Sequence, residues 1–237
     1  MIKFEKACFS YGDTVILNEF SAEFTKNSIN CILGPSGCGK TTVLNLLAGN
    51  LVLQRGSLTG TDKNVSYVFQ EDRLIPEMTV YKNLDFILKQ KIPDKAERRE
   101  VIYKNLKDVG LEKAGELYLR QLSGGMAQRV SLARAFAYPS TTILMDEPLK
   151  GLDTKTKGGI EEVFFKLWES DRRTTFFVTH DIDEGLLVAD EIFVFSDKPL
   201  RIINRYRVNT PKGAGKLYDS EFVRIKTDIY RDIENYS

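Results

Sequence analysis

Three short stretches carry side chains of the type and spacing that phosphate chemistry needs. The first is Gly34-Pro35-Ser36-Gly37-Cys38-Gly39-Lys40-Thr41, which matches G-x-x-x-x-G-K-[ST]. Glycines permit a tight loop whose amides cradle phosphate oxygens. The lysine can reach β and γ phosphates as a point charge, and the threonine hydroxyl suits Mg²⁺. The second is Asp146-Glu147, ending the apolar run TTILM. Asp146 suits Mg²⁺ coordination, and Glu147 suits general-base work on an attacking water. The third is His180, the single histidine, which ends the run TTFFVT. Gln70 follows VSYVF and adds a side-chain amide able to ligate Mg²⁺ and touch that water. Alone, each of these last pieces has an ordinary reading: an acidic surface turn, a structural or exposed histidine, a polar residue opening a loop.

A fourth stretch, QLSGGMAQRV at 121–130, looks like a second anion site. A serine before two glycines caps a helix start, where outward-pointing amides and the lack of side chains let a phosphate approach. One chain would then hold two phosphate sites and a single nucleotide loop. Its bland alternative is an ordinary helix N-terminus.

The elements that must position these groups are legible as pattern. Residues 2–33 alternate, with Phe20, Ala22 and Phe24 on one face and Glu19, Ser21 and Glu23 on the other. Tyr11-Gly12-Asp13 breaks the run as a turn, which predicts an antiparallel sheet. INCIL at 29–33 is a buried strand leading into the glycine loop, and KTTVLNLLAGN a helix ending near Gly49-Asn50. Further apolar runs at 65–69, 141–145, 174–179 and 191–195 predict parallel strands covered on both faces. Ligands gather at the carboxyl ends of such strands, so Gln70, Asp146, Glu147 and His180 should share one edge with the loop. The charged stretch 77–120 reads as helical, and Phe222, Val223, Ile225, Ile229 and Ile233 space an amphipathic helix near 220–235.

Composition narrows the class. The 237 residues suffice for one large α/β domain, with 42% hydrophobic and 28% charged residues. A net charge of +1 gives no overall basic field, so nucleic acid is not an expected partner. Three unpatterned cysteines fit a reducing compartment. The charged N-terminus lacks the apolar core of a signal peptide, and no apolar run approaches membrane-span length. The expected location is cytoplasmic, with any membrane association through a partner.

In order, Tyr11, the loop at 34–41, Gln70, LSGGM at 122–126, ILMDEP at 143–148, Asp153 and His180 resemble the nucleotide-binding subunits of ABC transporters. The likeness runs over about residues 2–208. It implies a P-loop NTPase core, a mostly parallel sheet with helices on both faces, plus an N-terminal antiparallel β region and an inserted helical subdomain. Within one domain spanning 1–237, the implied core covers about 1–76 and 135–208, and the helical subdomain about 77–134. ATP and Mg²⁺ are the implied ligands. Residues 34–42, ending in Thr42, would bind the nucleotide, with Tyr11 stacking on adenine or else filling the hairpin core. Thr41, Gln70 and Asp146 would hold the metal; Glu147, His180, Lys40 and Gln70 would serve catalysis.

The resemblance also explains the second anion site. Two subunits pack head to tail, so Ser123, Gly124, Gly125 and Met126 would meet the nucleotide held by the other chain, with Asp153 on the crossing loop. The other implied partners are transmembrane permease subunits and an extracytoplasmic solute-binding protein, which places the ATPase peripherally on the inner membrane face. In EDRLIPEMTVYKNL, Leu74, Ile75 and Met78 would be exposed anchors for a coupling helix or else packing within the helical region. Three positions depart from the family pattern: Met126 for glutamine, Lys150-Gly151 for serine-alanine, and Asn27-Ser28 for glycine-glutamate. VFQEDRLIPEMTV, LSGGMAQR and FVFSDKPLRIINRYRV resemble the nitrate/sulfonate/taurine importers. Two other classes stay open: an ABC-type ATPase of DNA maintenance, which needs a long heptad insertion, and a nucleotide-binding signalling module, which needs no base.

Overall fold

The computed structural model describes residues 1–62, 64–209 and 219–236. Two sheets form its frame. Strands β1 (Ile2–Tyr11), β2 (Thr14–Phe24) and β4 (Arg55–Thr59) pair antiparallel in the order β2-β1-β4. The larger sheet runs β5-β6-β7-β3-β8-β9, from β5 (Val65–Val68), β6 (Thr142–Asp146), β7 (Thr174–Thr179), β3 (Ile29–Leu33), β8 (Glu191–Phe195) and β9 (Ile202–Arg207). All its pairs are parallel except β8 with β9.

Every residue of β3, β7 and β8 is buried, as expected of strands covered on both faces. Strand alternation then divides the core in two. Cys31, Leu33, Ile143, Met145, Phe177, Ile192 and Val194 face helices α4 (Gly124–Ala137), α5 (Thr154–Ser170), α6 (Ile182–Val188) and α7 (Ser220–Tyr236). Ile32, Leu144, Phe176, Val178, Phe193 and Phe195 face α1 (Lys40–Leu47) and the small sheet. Phe24 joins the sheets, its ring centroid 4.6 Å from that of Phe193 and 5.0 Å from that of Phe176. One face of the large sheet is therefore covered by helices alone, the other by one helix and the antiparallel sheet.

Between β5 and β6 lie α2 (Val80–Leu88), α3 (Lys95–Asp108), a 3-10 turn at Leu119–Gln121 and α4. Thr79 and Asp94 cap α2 and α3 by accepting from the Lys82 and Glu97 amides. The expected limit of the helical subdomain at 134 falls inside α4, which continues to Ala137 and packs against β5 and α5. The C-terminal helix docks through Phe222, Ile225 and Ile229.

Leu74 corrects one expectation. It is not an exposed anchor: it is buried in the helix-side core, while Ile75 and Met78 are half-buried. Asn83 holds this segment down, accepting from the Ile75 amide at 2.7 Å and donating to the Ile75 carbonyl at 3.2 Å. The rival reading, packing within the helical region, holds for Leu74.

Candidate nucleotide site

Strand register assembles the chemistry. Leu33 pairs with Thr179, Asp146 with Val178, and Val68 with Met145. The strand ends are therefore aligned, and the glycine loop, Gln70, Asp146, Glu147 and His180 all emerge at one edge. Sequence pattern predicted this edge, and the topology supplies it.

The loop at 34–39 opens α1. Gly39 is its N-cap at φ 122°, where L side chains are strained; a Cβ there would also lie 2.7 Å from Ile16 Cγ2. The first intrahelical bond is from the Val43 amide to the Gly39 carbonyl. The amides of Lys40, Thr41 and Thr42 thus lie outside the helical ladder, as a phosphate cradle requires. Lys40 is buried, and its Nζ donates to the carbonyls of Gly34 and Pro35, each at 2.8 Å.

Thr41 Oγ1 donates to Asp146 Oδ2 at 2.9 Å. Burial holds the Asp146 carboxyl above its ordinary pKa, the Thr41 bond only partly offsetting it. The Tyr67 hydroxyl interacts with the same carboxylate, a contact with no signal in the sequence. A hydroxyl and a carboxylate side by side are hard oxygen donors, which fit Mg²⁺ completed by phosphates and water. Among the described residues, no cluster of three or more acidic, histidine or cysteine side chains would hold a metal unaided. Gln70 is exposed two residues beyond β5.

Glu147 follows Asp146 directly. Its φ is 45°, unusual for a residue with a side chain, and it is buried to 8% exposure. Oε1 lies 3.3 Å from His180 Nδ1, and Oε2 lies 2.5 Å from Lys150 Nζ. The Lys150 contact is an ion pair, and Oε2 is shielded from solvent beneath it. Burial disfavours the Glu147 charge, but Lys150 and His180 outweigh it and hold the carboxyl below its ordinary pKa. The spacing of Lys150, one turn after the acid, was visible in sequence; its partner was not.

The remaining residues form a separate place. Ser123 caps α4, its Oγ accepting from the Met126 amide at 3.3 Å. Ser123, Gly124, Gly125, Met126, Arg129 and Asp153 share the walls of an open cleft of about 640 Å³, and no residue of 34–42 is among its walls. Asp153 caps α5 by accepting from the Lys155 and Thr156 amides, both at 3.1 Å, and from Thr156 Oγ1 at 2.6 Å. That hydroxyl bond, then the amides, holds its carboxyl below the usual range. Tyr11 ends β1, half exposed, with its ring edge-on to Phe9 at 4.9 Å, so it is not a hairpin core residue. A larger cleft of about 820 Å³ near Lys3, Phe193 and Arg205 contains none of these groups. Most of its charges are paired: Lys3 with Glu5 and Glu23, Arg205 with Glu191.

The pattern described as ABC transporter matches residues 17–150, more than half of the chain. The chain belongs to the ABC transporter family. It is an ATP-binding subunit and an ATPase. A taurine import ATP-binding protein of Escherichia coli O157:H7, TauB, is 36% identical over 88% of this chain and 85% of its own. An uncharacterised ABC transporter ATP-binding protein of Methanocaldococcus jannaschii, MJ0412, is 39% identical over 78% of this chain and 72% of its own. A solved dimeric bacterial ABC transporter cassette, MJ0796, superposes with TM-score 0.76 at 28% identity, covering 89% of this chain and 100% of that one. CbiO1 of Clostridium perfringens, part of the ABC transporter complex cbiONQ, gives TM-score 0.80 at 22% identity over 96% and 94% of the two chains. This last likeness bears on the fold of the ABC ATPase alone.

Behind the site, Glu184 accepts from Thr179 Oγ1 and from Lys157 Nζ, both at 2.6 Å. Glu161 is buried near it, and burial first, then the Glu184 charge, pushes its pKa up to about 7. An acid whose folded pKa exceeds its unfolded value keeps its proton in the fold. The folded chain then binds more protons than the unfolded one, and stability falls as pH rises from 4.5 to about 7. The loss should be about 2 kcal/mol once solvent screening is discounted. Urea unfolding at about pH 5 and about pH 8 should show that component in wild type and not in Glu161→Gln. Identical pH dependence in the two proteins would refute it.

Proposed function

We propose that two copies of this chain close head to tail on two ATP–Mg²⁺ and power solute uptake through transmembrane permease subunits. The observation that carries this reading is the division of the site. The loop at 34–42 and the acids stand at the sheet edge, while the capped signature turn at 123–126 opens into its own cleft. Each half offers donors to a phosphate, and a second copy supplies the missing half. The resemblance to MJ0796, solved as a dimer, supports the pairing.

Within each shared site, Tyr11 stacks on adenine and Lys40 turns from the Gly34 and Pro35 carbonyls to the β and γ phosphates. Ser123, Gly124, Gly125 and Met126 of the other copy approach the γ-phosphate, and Asp153 lies on the loop between the sites. Thr41, Asp146 and Gln70 would hold Mg²⁺, which supplies positive charge against the β- and γ-phosphate oxygens. Glu147 accepts a proton from water as the water oxygen bonds to the γ phosphorus; the bond to the bridging oxygen breaks, and ADP leaves. His180 orients Glu147 and senses the γ-phosphate.

Similarity to the TauB taurine import proteins supports an importer of the nitrate, sulfonate or taurine kind, served by an extracytoplasmic solute-binding protein. Among the described residues, no helix is long and apolar enough to cross a membrane, so the reading holds this subunit to the inner membrane face through its permeases. The helices α2 and α3 have nine and fourteen residues, too short for the heptad arm of a chromosome-maintenance ATPase. Light scattering on Glu147→Gln, with and without MgATP, tests the reading. A monomer that becomes a dimer only with ATP is expected; a protein that binds ATP yet stays monomeric, even with its permease present, overturns it.

A further inference from the structure

The environment of Glu147 is unusual for a group that must take a proton from water. Both carboxylate oxygens face cations or potential cations: Lys150 Nζ at 2.5 Å from Oε2 and His180 Nδ1 at 3.3 Å from Oε1. Lys40 and Asp146 are the other charged groups at this edge; Lys40 bonds to loop carbonyls and Asp146 to Thr41. Oε2 is fully shielded from solvent, with the Lys150 ammonium against it. A water reaching Oε2 must therefore take the place of that ammonium. Lys150 is itself 44% exposed, so leaving this contact exposes no buried charge on the lysine side.

We propose that Lys150 is a positioning residue that caps the Glu147 carboxylate in the separated subunit and must withdraw before water can occupy Oε2. The proposal rests on Glu147 being the base of the ATPase reaction. The local chain supports it. The Lys150 amide donates to the Glu147 carbonyl at 3.2 Å, so a turn of four residues places the two side chains together. The next residues, Gly151, Leu152 and Asp153, wall the cleft that a second copy would enter. Gln128 of α4 donates to the Pro148 carbonyl, tying the same turn to the helix that the signature serine caps. A second copy seating on 151–153 thus acts on the turn that holds Lys150. The cap keeps the base idle until a partner is in place, which limits ATP turnover by lone subunits.

The test compares steady-state ATP hydrolysis by the purified chain as wild type, Lys150→Gln and Lys150→Arg, each also made with Glu147→Gln. Lys150→Gln keeps a polar side chain, one atom shorter, and removes the charge. It should raise basal kcat by at least about threefold, a small part of the roughly 10²–10⁴ that a free general base contributes, with KM for ATP unchanged. Lys150→Arg keeps the cap and should retain the low rate, and the gain should disappear when Glu147 is glutamine. A purely structural lysine would not give a kcat-only gain that depends on Glu147. If Lys150→Gln binds ATP normally and its kcat equals or falls below that of wild type, or if only KM changes, the cap is overturned. If no protein, wild type included, turns over ATP, the hydrolytic assignment of Glu147 fails instead.

Discussion

Replacing Glu147 with glutamine is expected to lower kcat for ATP hydrolysis by about 10²–10⁴, the usual worth of a positioned general base. The substitution keeps size and removes the proton acceptor. ATP affinity should change little, because the phosphate cradle is built from the amides of 40–42 and from Lys40. A stopped-rate assay with radiolabelled ATP separates the two quantities. A kcat within about threefold of wild type would place the base elsewhere.

Gly125→Val should abolish turnover almost as completely, for a different reason. A Cβ at Gly125 would lie 2.8 Å from Thr156 Cγ2. Thr156 cannot simply rotate away, since its hydroxyl is bonded to Asp153. The added side chain therefore distorts the helix start or fills the space where a phosphate must sit. The expected loss is at least about 10²-fold in kcat, the scale of removing preorganised donors from a developing charge. Binding of ATP to the single chain should survive, because no residue of the nucleotide loop lines this cleft. Mixing makes the test sharper. Lys40→Met and Gly125→Val are each expected to be inactive alone. In a head-to-tail pair of one of each, one shared site carries both lesions and the other neither. An equal mixture should recover about a quarter of wild-type turnover, from random pairing with independent sites. No recovery would mean that the signature turn serves its own chain's nucleotide.

Strands of uniform burial were legible in the sequence without further context, and the alternating strands of 2–33 by their two faces. INCIL, TTFFVT and EIFVF are buried throughout, so their apolar runs needed no context. The strand Arg55–Thr59 escaped notice because its residues are exposed or half-buried and it pairs at the edge of the small sheet. Leu74 was misplaced because one leucine in a polar loop gives no periodicity; only the Asn83 bonds show the loop folded onto α2. The glycine loop, the acid pair and His180 were found by type and strand position. Lys150 was seen only as a departure from a pattern. A contact between a lysine and an acid three residues earlier depends on the left-handed turn at Glu147, and φ there follows from the surrounding structure.

The folded-back position of Lys40 bears on how an emptied site behaves. An ammonium left unpaired in a buried loop would make product departure costly, and ADP would linger. Two carbonyls of the same loop, Gly34 and Pro35, accept from it at 2.8 Å, so the ammonium has partners within its own loop. On the proposed reading, nucleotide exchange would be a competition between phosphate oxygens and the loop's own backbone for one cation. That competition costs ADP and ATP alike, so any preference for ATP would come from the γ-phosphate's own contact with Lys40. On that reading, a lysine that leans on its own loop would give the subunit a resting position to which it returns after each turnover.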